Sequence, residues 1–154
     1  MKRTVLLHWI VALTVALGIV VVPCTVGASG EDRPGGRFVY AVYATCGFGF
    51  TSINVLNPGA HVIHVTKTGT PLQAGQVPTP PSDAQHESLQ PHWAFLMNCD
   101  DIASLTGGTR FGDSNVVIES DRELEVWAVY TILVAGGGVG DTRLVHIDGS
   151  RSNR

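Results

Sequence analysis

The 154-residue sequence predicts an all-β domain, a small antiparallel β-sandwich of about seven strands. Three observations carry that expectation. Apolar residues recur with period two in several runs, most clearly in Asn115–Leu133. Turn formers rich in glycine, proline, asparagine and aspartate separate the runs. No strand–helix alternation occurs, so a parallel sheet wrapped in helices is not indicated.

The chain opens differently. Lys2 and Arg3 precede an apolar run from Val5 to Val22, broken only by His8, Thr14 and Gly18 and ended by Pro23. Val26-Gly27-Ala28 then supplies small residues before a cleavage point at Ser29, so residues 1–28 read as a secretory signal peptide. Two alternatives stay open. The eighteen residues Val5–Val22 are long enough for an uncleaved membrane anchor, although a core counted from Ile10 has thirteen and suits a cleaved signal better. Lipidation of Cys24 is the other, for which Val21-Val22-Pro23 is a poor lead-in. Residues 29–36, SGEDRPGG, read as a linker, 37–148 as the sandwich and 149–154 as a flexible tail.

Within the sandwich, Phe38–Tyr43 is apolar on both faces, as a central strand would be. Thr51–Leu56 and His61–Lys67 flank Asn57-Pro58-Gly59, the clearest hairpin signal of the first half. Thr68–Pro91 holds five of the eight prolines and is expected to be a loop, a mobile insertion rather than a central strand. His92–Cys99 resumes strand character, and Asp100–Leu105 reads as one helical turn with acidic residues at its N-terminus. Asn115–Leu133 reads as a second hairpin turning at Ser120-Asp121-Arg122. In its second strand Leu124, Val126, Ala128, Tyr130 and Ile132 share one face. Glu123 and Glu125 give way to Trp127, Val129 and Leu133 on the other, so that strand should end covered on both sides. Gly136–Gly140 is a flexible loop and Thr142–Asp148 the last strand.

Charge narrows the partners. There are 10 basic and 13 acidic residues; without Lys2 and Arg3, and with no acid among residues 1–28, 8 basic face 13 acidic, a formal charge of −5. A mildly acidic domain without a basic run excludes nucleic acid as a main partner. Membrane contact is expected only if the N-terminal segment is retained. Two cysteines, Cys46 and Cys99, remain after removal of residues 1–28, an even number suited to an oxidising compartment. A disulfide between them and a pair of separate buried thiols are both open readings.

Cys46, TSINVLNP (51–58), NCDDI (98–102), VVIES (116–120) and LEVWAVYT (124–131), followed by a glycine-rich loop and a closing strand, resemble a group of exported bacterial proteins without assigned function. The shared pattern is a strand ending in cysteine and glycine, an AINIHNP-like turn, a DCxDI segment and VVIES…LxVxAVYT. The resemblance implies a small β-sandwich with Cys46 and Cys99 paired. Thr68–Pro91 is longer and richer in proline than that group would suggest. In outline the sandwich is also similar to the small soluble transducer of a microbial sensory rhodopsin, a likeness of fold only.

No catalytic set emerges. His61 and His64, three apart on a strand, point to opposite faces and do not share an ion. A metal site with His86, His92 and His146 would have to assemble in three dimensions, and solvent-facing or hydrogen-bonded histidines are the simpler reading. Asp100, Asp101 and Asp113 are the best Ca²⁺ ligands, but they lack the alternating acidic loop with a closing glutamate. Capping and turn roles explain them more simply. Glu119, Glu123 and Glu125 offer carboxylates for glycoside hydrolysis but follow the pattern of a solvated face. No Gly-x-Ser-x-Gly elbow is present, and Gly136–Gly140 lacks the Lys-Ser/Thr of a phosphate loop. No cofactor is expected. Trp93, Phe95 and Trp127 are the candidate binding residues, for a protein or carbohydrate ligand, unless they pack under the long loop. The sequence thus points to a non-catalytic binding or structural module, secreted or at the cell envelope. A small envelope hydrolase or metal-dependent enzyme and a membrane-anchored assembly subunit are the alternatives.

Overall fold

A computed structural model describes residues 36–47, 49–73, 78–107, 112–136 and 138–152. The signal or anchor segment, Cys24 and most of the linker lie outside the described residues. Nine strands and one helix are present among those described: β1 (Arg37–Thr45), β2 (Gly49–Leu56), β3 (Ile63–Pro71), β4 (Gln85–Leu89), β5 (Ala94–Met97), α1 (Cys99–Thr106), β6 (Asp113–Ser120), β7 (Glu125–Leu133), β8 (Val139–His146) and β9 (Ser150–Ser152). They form a β-sandwich. One sheet runs β4-β3-β6-β1-β9 and the other β5-β2-β7-β8, and every pairing is antiparallel. We call these the five-stranded and four-stranded sheets.

Period-two patterning predicts the inward faces well. Tyr40, Val42, Ala44, Ile63, Val65, Val116 and Ile118 from the first sheet meet Ile53, Val55, Met97, Val126 and Ala128 from the second. Helix α1 closes one side with Ile102 and Leu105. It packs on β3 at Gly69, where a Cβ would come within 2.5 Å of Thr106 Cγ2. The expected helical turn is real, and Asn98 caps it. Its Oδ1 accepts from the amides of Asp100 (2.8 Å) and Asp101 (3.1 Å), and Asp101 Oδ2 accepts from Asn98 N. The Cys46–Cys99 disulfide forms, joining the end of β1 to the first residue of α1.

Neither expected hairpin exists. β2 and β3 lie in opposite sheets, and so do β6 and β7, so both connections are arches over the core. Turn residues and apolar alternation are common to hairpins and arches; only the partner strand differs. Each arch is held by a buried polar side chain where a hairpin would have ladder bonds. Thr51 Oγ1 accepts from Thr45 N and donates to Thr45 O, fastening β1 to β2. Asn57 Nδ2 donates to the carbonyls of His61, Leu89 and Gln90 at 2.8–3.0 Å, and its Oδ1 accepts from Gly59 N. The Tyr40 hydroxyl accepts from Leu124 N and donates to Leu124 O, fixing the arch between β6 and β7.

Three further expectations change. Thr68–Pro91 is not all loop. β3 runs on to Pro71, at the end of its pairing with β6, and Gln85–Leu89 supplies edge strand β4. Residues 149–154 are not all tail either. Ser150–Ser152 pairs with β1, and Gly149 passes so close to the Tyr40 ring that a Cβ there would lie 2.6 Å from it. Finally, β7 does not end covered. Ile132 is exposed and Leu133 only half-buried.

Candidate functional site

The two outer faces of the sandwich differ in chemistry. On the five-stranded sheet, His64, Thr66, Thr68, Thr70, Asn115 and Glu119 alternate with the core residues. His64 and His86 engage Ser88 and Thr66 there. On the four-stranded sheet the register lines up Leu96, Asn54, Trp127 and His146 across four strands. Ser52, Val129 and Leu144 form the next row. Leu96 is 55% exposed and Leu144 64%, and Leu56 and Phe50 are exposed on the same face. On this face exposed apolar side chains are set among Ser52, Asn54, Glu125, Thr131 and Thr142, and no other element covers it among the described residues.

Trp127 stands in its middle. Its ring meets His146 edge-on at 4.5 Å between centroids. His146 Nδ1 lies 3.1 Å from Asp148 Oδ1 and Nε2 lies 3.8 Å from Glu125 Oε2. Trp93 occupies the rim just ahead of β5 and is 61% exposed. It is presented by a tied-down turn. His92 N donates to Asn57 O, Asn57 N donates to Trp93 O, and Trp93 N donates to Gln90 O. His92 has φ +61°, a left-handed conformation that costs about 1 kcal/mol for a residue with a Cβ. The Asn57 bonds hold it there.

Phe95 does not join the two tryptophans. Opposite Val55 on the inner face, it packs against the core, with Lys67 Nζ 4.9 Å from its ring centroid. Residues two apart on a strand share a face, but β5 begins only at Ala94, which leaves Trp93 on the rim and Phe95 pointing inward. Lys67 and Glu87 were not singled out from sequence. Lys67 continues the buried face of Ile63 and Val65, and its buried ammonium is paired with the Glu87 carboxylate. Beside them lies a cavity of about 250 Å³, also lined by Asp101 and Ser104. Alternation puts Lys67 on the face of Ile63 and Val65, but the partner that would reveal a charged group there, Glu87, lies on β4, a strand the sequence does not show.

The carboxylates are dispersed. Glu119 lies on the outer face of the five-stranded sheet, 3.1 Å from Arg37 Nη1, whereas Glu125 is on the opposite side of the sandwich. Glu123 is exposed. Asp101 caps α1, and Asp113 accepts a 2.7 Å hydrogen bond from Tyr43, which raises the Tyr43 pKa above its usual value. Among the described residues no group of three or more His, Cys, Asp or Glu could hold a metal ion. None of their helices is long and apolar enough to cross a membrane.

No protein-family model matches the chain, and no curated protein matches it. The crystal structure of Thermotoga maritima 1070 is similar, with 11% identity, coverage of 79% of this chain and 97% of that one, and a TM-score of 0.50. At that identity the likeness speaks to the sandwich fold alone.

Proposed function

We propose that this protein is an exported, non-catalytic binding module at the cell envelope that engages a protein partner through the outer face of its four-stranded sheet. The exposed apolar cluster carries the reading. Phe50, Leu56, Leu96 and Leu144 stand exposed around Trp127 on this face, whereas the outer face of the five-stranded sheet sets Tyr43 and the smaller Val39, Ala41 and Val117 among threonine, histidine and glutamate. An exposed apolar sheet face of this kind is the usual mark of an interaction surface. Its exposed leucines Leu56, Leu96 and Leu144 are interspersed with polar side chains and Trp127 is already engaged by His146, so a protein surface fits it better than a sugar ring, which needs free aromatic platforms. The Lys2-Arg3 start, the apolar run and Val26-Gly27-Ala28 support export, and the disulfide suits an oxidising compartment.

Crosslinking in intact cells of the native host tests the interface. Leu56→Asp/Leu96→Asp should abolish the crosslinked species, and Ala41→Asp on the opposite sheet should leave it intact. Equal loss from both would refute the assignment of the face. Turnover of any substrate in a broad hydrolase panel, abolished by E119A or E123A, would overturn the non-catalytic reading.

A further inference from the structure

The four sheet edges are unequal. β4 has five residues, β9 three and β5 four, lengths too short to template a partner strand well. β8 has eight, all exposed, and among the described residues only β7 pairs with it. The bulge at its start leaves Gly140 without a partner on β7, while Asp141–His146 runs in regular register. This is a long, open edge.

Its charges select a partner. Asp141 and Arg143 are two residues apart on one face, opposite Ile132 and Tyr130, with Arg143 Nε 2.9 Å from Asp141 Oδ2. A run of one sign would repel any second copy. Opposite signs two residues apart act differently when the strand meets itself antiparallel. With Thr142 on the two-fold axis, Asp141 of each copy falls opposite Arg143 of the other, and both cross-strand pairs attract. The next registers that keep the faces matched place Asp141 against Asp141 or Arg143 against Arg143. One register is favoured and its neighbours are penalised. In it, Leu144 lies against Gly140 of the second copy, a position with no side chain to obstruct it.

We propose that β8 is a homodimerisation edge, on which a second copy of this chain adds antiparallel about Thr142 to form a continuous eight-stranded sheet. The inference rests on strand length, exposure and charge register and does not depend on the partner of the outer face.

Charge reversal with rescue in trans tests it, using the full chain and native mass spectrometry. The native protein should be a dimer. Asp141→Arg and Arg143→Asp should each weaken dimerisation roughly tenfold or more, because two attractive pairs become repulsive. An equimolar mixture of the two should restore it as a mixed dimer, identified by mass, and the doubly reversed chain should again pair with itself. Both residues are exposed, so folding is expected to survive, and circular dichroism of each variant checks this. Loss of the intramolecular Asp141–Arg143 pair cannot produce rescue on mixing. A native chain that stays monomeric at millimolar concentration, a dimer indifferent to both reversals, or a mixture that stays monomeric would each overturn the proposal.

Discussion

Replacing Tyr40 with phenylalanine removes one oxygen and keeps the ring. That oxygen is fully buried and makes two hydrogen bonds to one residue, accepting from Leu124 N at 2.6 Å and donating to Leu124 O at 3.0 Å. Leu124 is itself buried at the arch between β6 and β7, so Tyr40→Phe orphans a backbone donor and acceptor together. Each orphaned buried group costs about 1–3 kcal/mol, and relief from burying the hydroxyl returns part of that. The expected loss is about 3 kcal/mol, a large share of the stability of a domain this size. Urea denaturation of the oxidised protein reads it as a lower midpoint with unchanged slope. Burial also raises the Tyr40 pKa above 10.0. Its phenolate is therefore disfavoured in the folded state, and the stability from this group is complete below pH 10.0 and lost as pH rises through the folded value. Tyr40→Phe should soften that alkaline decline, while Tyr43 and Tyr130, also raised, maintain the rest. A loss under about 0.5 kcal/mol would refute the clamp, because two buried groups cannot be orphaned so cheaply.

Replacing both Cys46 and Cys99 with alanine frees a crosslink spanning 53 residues and should lower stability by about 4 kcal/mol on the chain-entropy account; a change below about 1 kcal/mol would contradict it. Asn57→Ala should cost about 3 kcal/mol, since three carbonyls lose their donor. Hydrogen exchange at residues 90–93 should accelerate with it, and unchanged exchange there would show that the rim turn does not depend on Asn57. Glu87→Gln leaves the Lys67 ammonium buried without its counterion and should cost about 2 kcal/mol, more than Lys67→Met, which removes the charge. The reverse order in thermal unfolding would sink that reading of the pair.

What the sequence revealed was the face each residue takes; what it concealed was the strand each one joins. Val116, Ile118, Val126 and Ala128 were legible as core because alternation acts within a strand. The sheet to which a strand belongs depends on partners far away, such as β1 with β6 or β1 with β9. Six of the eight connections between successive strands cross from one sheet to the other, so reading neighbours as hairpins fails. β4 and β9 were missed because they take their order from β3 and β1, with little apolar alternation of their own. Asp100 and Asp101 were readable at a helix start because their effect there is local, whereas Asn98, which caps the helix, falls in the run that reads as strand. Tyr40, Thr51 and Asn57 look like any strand or turn residue until the arch they hold is known.

The apolar face and the open edge belong to the same sheet, and this constrains how they can act together. Pairing through β8 would leave Leu56, Leu96 and Trp127 uncovered, because strand addition consumes backbone groups in the plane of the sheet and not side chains above it. Two copies would then offer two equivalent faces on one continuous sheet, and a partner carrying two matching sites would gain by effective concentration without any new contact. The variants separate the two properties. Leu56→Asp/Leu96→Asp should abolish the partner and spare the dimer, since neither residue lies on β8. Asp141→Arg should spare a one-to-one contact and remove only the gain from pairing. A partner lost equally in both variants would mean that face and edge form a single interface, with the dimer itself as the binding unit.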